Sequence, residues 1–145
     1  MELTLALLAD YANISREGKL NIMGIFEQIH AHNFPAVHAQ MQLVIRCEAT
    51  AFDAGTHPVR VTFIDEDARE LFAISGAVTI PESRAGENLT TNQIFVLNGV
   101  ILPHPGTYEF VITVADEEIG RTPLRVVSLP RPSSQPSSPG GVYGS

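Results

Sequence analysis

The segment 105–114, Pro-Gly-Thr-Tyr-Glu-Phe-Val-Ile-Thr-Val, constrains what this chain can fold into more than any other. A Pro-Gly turn feeds a run in which Tyr108, Phe110, Ile112 and Val114 recur at period two. In a strand, that period points all four to one face, which must then be buried. A tyrosine at the start of a late strand, two residues before a buried position, is the arrangement called a tyrosine corner in immunoglobulin-like sandwiches. Phe110 stands where an antibody domain carries its second cysteine.

The rest of the chain keeps to the same period. Turn signals divide it into eight strand-like segments, at residues 2–14, 19–30, 40–49, 59–65, 70–80, 90–97, 107–115 and 119–127. No segment of helical length carries apolar residues at i, i+3, i+4 and i+7. The expected fold is all-β: an immunoglobulin-like β-sandwich of about eight antiparallel strands over residues 1–128. Pro123 argues that the last strand is an edge or starts late, because proline offers no N–H to a ladder. Residues 129–145 are rich in Pro, Ser and Gly and are expected to form a flexible, disordered tail. In that tail Pro136-Ser-Ser-Pro139 matches PxxP and Val142-Tyr143 offers an anchor, but such matches come cheaply in this composition.

A chain of 145 residues can bury a core without staples. Cys47 is the single cysteine, so no internal disulfide forms and a reducing compartment is favoured. The first ten residues have no basic start, and their apolar run is too short to span a bilayer. They read as a strand, which points to the cytoplasm and away from a membrane. Net charge is −7, and the nine basic residues form no stripe, so nucleic acid finds no electrostatic footprint. Hydrophobic residues make up 44% against 17% charged, which favours a partner or self-association.

Alternation identifies faces. Met41, Leu43, Ile45 and Cys47 share one, Val59, Val61 and Phe63 another, and Cys47 reads as a small buried hydrophobe rather than a thiolate. The first two strands are apolar on both sides. Leu3, Leu5, Leu7 and Tyr11 share a face, yet Ala6 and Leu8 oppose them; Leu20, Ile22 and Phe26 oppose Met23, Ile25 and Ile29. Such strands need cover on both sides. Either the hairpin from Leu3 to Ile29 is an interface between copies of the chain, or it is a central pair or lies under loops.

If every strand reverses direction, the loop at 31–39, the hairpin at 65–69 and the loop at 102–106 meet at one end. That end collects His32, His38 and His104, with His30 at its edge and Asp65, Glu66 and Asp67 nearby. Imidazoles and carboxylates are the ligands of divalent transition metals, and His30-Ala-His32 in an extended segment puts both rings on one face. The candidate metal ligands are thus His30, His32, His38, His104, Asp65 and Asp67; the competing reading is solvated loops. The count fails if Asn98-Gly99 is itself a hairpin turn. Calcium is disfavoured, because Asp65-Glu66-Asp67 and Asp116-Glu117-Glu118 fall at opposite ends. There is no G-x-S-x-G elbow and no phosphate-cradling glycine loop, so no catalytic residue or cofactor site is assigned. Sugar binding lacks its aromatic platform: there is no tryptophan, and Tyr11 and Tyr108 lie on apparent core faces.

Four blocks carry a resemblance: 6–13 (Ala-Leu-Leu-Ala-Asp-Tyr-Ala-Asn), 18–26 (Gly-Lys-Leu-Asn-Ile-Met-Gly-Ile-Phe), 34–36 (Phe-Pro-Ala) and 105–110 (Pro-Gly-Thr-Tyr-Glu-Phe). Together they resemble a family of small bacterial proteins of unknown function, over about residues 1–127. The resemblance implies a cytoplasmic bacterial β-sandwich and carries over no catalytic or binding residue. The leading expectation is a non-catalytic binding or assembly module that works through protein–protein contacts. The runner-up is a metal-dependent site, enzymatic or not, at the histidine end. An apolar ligand pocket between the sheets is a third reading, supported only by the apolar content.

Overall fold

Period-two alternation along the chain yields two layers of strands with one core between them. The computed structural model of the protein describes residues 1–130. In order, the strands are β1 (Glu2–Ile14), β2 (Leu20–Phe26), β3 (Gln28–Ala31), β4 (Ala36–Ala49), β5 (Gly55–Ile64), β6 (Glu70–Ile80), β7 (Leu89–Leu102), β8 (Gly106–Val114) and β9 (Glu117–Ser128). A 3-10 turn, Ala51–Asp53, is the one helical element among the described residues. One sheet has the order β2-β1-β4-β7 and the other β3-β9-β8-β5-β6.

The inner faces are those the alternation marks. Met41, Leu43 and Ile45 of β4 meet Val61 and Phe63 of β5 and Tyr108, Phe110 and Ile112 of β8 in one buried cluster. Phe63 lies at its centre, 4.5 Å from the Phe110 ring and 5.1 Å from the Tyr108 ring, measured between centroids. Pairs at these separations contribute about 0.5–1.5 kcal/mol each beyond the area they bury.

The tyrosine corner is present. The Tyr108 hydroxyl donates to the carbonyl oxygen of His104 at 2.6 Å. It ties the β7–β8 turn to the strand that the turn feeds.

Four expectations need correction. The segment expected as one strand at 19–30 is two, making nine strands: the chain leaves β1 at Phe26 and crosses to the other sheet, where β3 pairs with β9 in parallel. The crossing accounts for Phe26 and Ile29, which reach the core from different sheets, while Met23 and Ile25 stay exposed. Tyr11 is 49% exposed and not on the core face. A bulge between Leu3 and Leu5 shifts the parity of β1, so that Leu3, Ala6 and Leu8 face the core while Leu7 and Tyr11 face away.

Pro123 lies in β9, which is flanked on both sides rather than at an edge. It is tolerated because the pairing of β3 with β9 begins only at Arg125, leaving that flank open at Pro123. Finally, β4 begins at Ala36 and β7 runs on to Leu102. Asn98-Gly99 is therefore no hairpin turn. Gly99 takes φ +63° inside β7 and flips the strand's parity, so Leu97 and Val100 both point into the core. The tail expected at 129–145, with its PxxP match and Val142-Tyr143, lies outside the described residues beyond Pro130.

Candidate functional site

The sheet β2-β1-β4-β7 turns one face to the core; on the other, Ala9, Gln42 and Val44 are buried among larger neighbours that stand exposed. Phe26, Leu8, Leu43 and Leu97 belong to the core side, so their chain neighbours Ile25, Ala9, Gln42 and Val96 face outward. These four are cross-strand partners and make a continuous row over all the strands of the sheet: Ile25 pairs with Ala9, Ala9 with Gln42, and Gln42 with Val96. Beside it Tyr11 pairs with Met23, and Leu7 pairs with Val44, which pairs with Ile94. Met23 is 66% exposed, Ile25 59% and Val96 50%. The result is a contiguous apolar face, of the kind that marks an interaction site.

Gln42 is the polar residue of the row, and it is spent internally. The β1–β4 pairing ends at Ala9–Gln42, and beyond it the Gln42 Oε1 accepts the backbone N–H of Ala12 at 2.8 Å. Gln42 is 5% exposed, so the row offers almost no free hydrogen-bonding group.

The outer face of the other sheet is unlike it. There Arg60 pairs with Glu70 at 2.9 Å, and Arg121 pairs with Glu118 at 2.9 Å and with Glu109 at 3.5 Å. Across the strands, Thr113 pairs with Arg60 and with Glu118, and Thr62 pairs with Val111, which pairs with Arg121. Ion pairs so exposed contribute little to stability but keep a face solvated. The two outer faces thus differ in chemistry, and only one asks for cover.

The histidines and carboxylates are placed as follows. Ala36 pairs with Leu102, and Glu66 Oε1 accepts the Thr107 N–H at 2.7 Å, so the loop after β3, the β5–β6 hairpin and the β7–β8 turn do share one end. His30 is exposed on β3. The His32 Nδ1 lies 3.2 Å from the Pro130 carbonyl oxygen. His38 is in β4, its ring 5.7 Å from that of Phe26. The His104 ring stacks on Tyr108 at 5.6 Å, with Nδ1 2.9 Å from the Pro105 carbonyl oxygen. Asp67 is exposed in the hairpin.

Asp65 is buried and works on its own backbone. Its Oδ1 accepts the N–H groups of Asp67 and Arg69, each at 2.9 Å, and so closes the hairpin. The Arg69 N–H foremost, then the Asp67 N–H and the charges of Arg69 and His104, hold its carboxyl below the usual carboxylate range against the opposing effect of burial. Among the expected ligands, Asp65 is thus bonded by the backbone of Asp67 and feels the charge of His104. No group of three or more His, Cys, Asp or Glu side chains is placed to hold a metal ion among the described residues.

The sandwich is open along the side where β6 and β7 end the two sheets. Gln93 Nε2 bridges the gap to the Ala77 carbonyl oxygen at 2.8 Å. Further along, the strands part and leave a crevice of about 510 Å³, lined by Leu71, Phe72 and Ile74 of β6 and by Leu97, Val100 and Ile101 of β7. Asn98 is its one polar side chain, so it has no charge with which to orient a ligand. Among the described residues no helix is long and apolar enough to cross a membrane. The sequence pattern revealed the two-sided apolar character of β1 and β2. It gave no signal that Gln42 is buried, since alternation alone puts that residue on an outer face.

The chain belongs to DUF6941, a family of unknown function, whose model matches residues 4–127. No curated protein matches it. Among solved structures it is similar to part of a β-glucuronidase from glycoside hydrolase family 2, at 16% identity and a TM-score of 0.39, over 63% of this chain and 11% of that one. It is also similar to part of a glycosyl hydrolase family 2 member from Bacteroides cellulosilyticus DSM 14838, at 13% identity and a TM-score of 0.40, over 62% of this chain and 13% of that one. The chain spans only a small fraction of the length of either enzyme.

Proposed function

We propose that this member of a family of unknown function is a non-catalytic binding module that docks a protein partner on the outer face of the sheet β2-β1-β4-β7. One observation carries the reading: Met23, Ile25, Tyr11 and Val96 stand about half or more exposed on this face around the buried Ala9, Gln42 and Val44, while the opposite outer face is laced with ion pairs. A flat apolar sheet with its polar atoms already paired suits an apolar partner surface and gives no foothold for reaction chemistry. Buried Cys47, whose thiol is pushed up by burial, suits a reducing compartment such as the bacterial cytoplasm.

The test is a photo-crosslinking side chain placed at Met23, and as a control at Thr62 on the other outer face, in the full chain within the cells that make it. The expected result is a discrete protein adduct from position 23 and none from position 62. Adducts of equal yield from both positions, or from neither, would refute the docking face.

A further inference from the structure

We infer that the occupant of this face is a second copy of the same chain, packed face to face about a twofold axis that lies along the row Ile25–Ala9–Gln42–Val96. The inference rests on the docking face proposed above and names its partner.

Size is the first argument. β1 has 13 residues and the sheet four strands. At about 3.4 Å per residue and about 4.8 Å per strand, the face measures on the order of 800 Å². An interface of standard size takes about 800 Å² from each partner. Stacked sheets also keep their strands nearly aligned, which an axis across the strands permits.

Charge is the second argument, and it selects the axis. At one end of the face lie Glu2 and Glu48, directly opposite one another across β1 and β4. Like charges so placed repel, and among the described residues neither has a salt-bridge partner. At the other end the β1–β2 turn carries Arg16, Glu17 and Lys19, of which Glu17 and Lys19 pair with one another at 3.9 Å. Arg16 too is without a salt bridge among the described residues. The spacing is symmetric about the row. Along β1 and the turn that follows it, Glu2 and Arg16 are each seven residues from Ala9. A twofold axis along the row sets each strand over its own copy, so Arg16 of each copy falls over Glu2 of the other. It also puts Tyr11 of each copy over Leu7 of the other, two residues to either side of Ala9. Such an interface is isologous and closes on itself.

Sedimentation equilibrium of the full chain, with variants, tests this. The wild type is expected to dimerise. Ile25→Glu, on an exposed position whose change leaves the core intact, is expected to weaken the dimer about 100-fold or more, since each copy buries the new charge. Arg16→Glu and Glu2→Arg are each expected to weaken it about 5-fold, and their combination to recover most of the loss. A chain that stays monomeric at its highest soluble concentration, or a dimer indifferent to Ile25→Glu, overturns the inference. So does a double charge reversal no tighter than the single ones. The adduct at position 23 separates this failure from failure of the docking face itself. A mass of twice the chain supports the inference; an adduct of another mass overturns it while the docking face stands; no adduct overturns both.

Discussion

The Tyr108 hydroxyl holds both backbone groups of His104, donating to the carbonyl oxygen at 2.6 Å and accepting from the N–H at 3.2 Å. One side chain thereby does for the β7–β8 turn what a pair of ladder bonds does inside a strand. Tyr108→Phe keeps the ring against Phe63 and removes only these bonds. Leaving such groups unpaired costs about 1–3 kcal/mol. Urea denaturation is expected to show that loss as a lower midpoint at unchanged slope. A Phe variant as stable as wild type would mean that the corner is dispensable.

Asp65 gives the fold an acid-sensitive hinge at the same end. Its carboxyl, held below the ordinary range first by the Arg69 N–H, is a group whose folded pKa is depressed. The stability it adds is fully present above the unfolded value of about 3.9 and is lost as pH falls through the folded one. Asp65→Asn keeps an oxygen for the hairpin but not the charge. The variant should therefore melt lower than wild type at neutral pH, and the two melting temperatures should converge as pH falls through the depressed folded value. A gap in melting temperature that persists unchanged into acid would show that charge is not what Asp65 contributes.

How much of this was legible beforehand depended on whether a feature lay in one strand or between strands. The Tyr108, Phe110, Ile112, Val114 face was readable because period two is a property of a single segment. The parity of β1 was not, because the bulge between Leu3 and Leu5 exists only against β4. The crossing at Phe26 was half legible: apolar residues on both sides of β2 and β3 asked for double cover, but no residue said that Ile29 finds it by changing sheets while Met23 and Ile25 stay exposed. Asp65 read as a metal ligand because its residue type suits one. Its bonds to Asp67 and Arg69 are short-range turn chemistry that a carboxylate before a tight hairpin supplies.

Gln42 replaces a missing ladder bond, and its loss should be felt locally. The Ala12 N–H it accepts, at 2.8 Å, has no strand partner once β1 diverges from β4. Gln42→Ala is expected to cost about 1–3 kcal/mol and to speed hydrogen exchange at Ala12 more than at Leu8, which still pairs with Leu43. Equal acceleration at both amides would point to global destabilisation and against a specific bond.

Gly24 sits on β2 opposite Asp10, and two separate constraints hold it there. Its φ of +72° is a conformation that side chains rarely adopt, and a Cβ would also run into the Asp10 carboxylate. Gly24→Ala alone is expected to cost about 1–3 kcal/mol, the range for a residue held at positive φ. Repeating it in an Asp10→Ala background removes the carboxylate but not the backbone strain. The penalty should then fall by about 0.5–1 kcal/mol without vanishing, which is the coupling expected of residues in contact. A cycle with no coupling would assign the whole penalty to the backbone. A penalty that disappears with Asp10 would assign it to the clash and show that β2 tolerates a side chain at this bend.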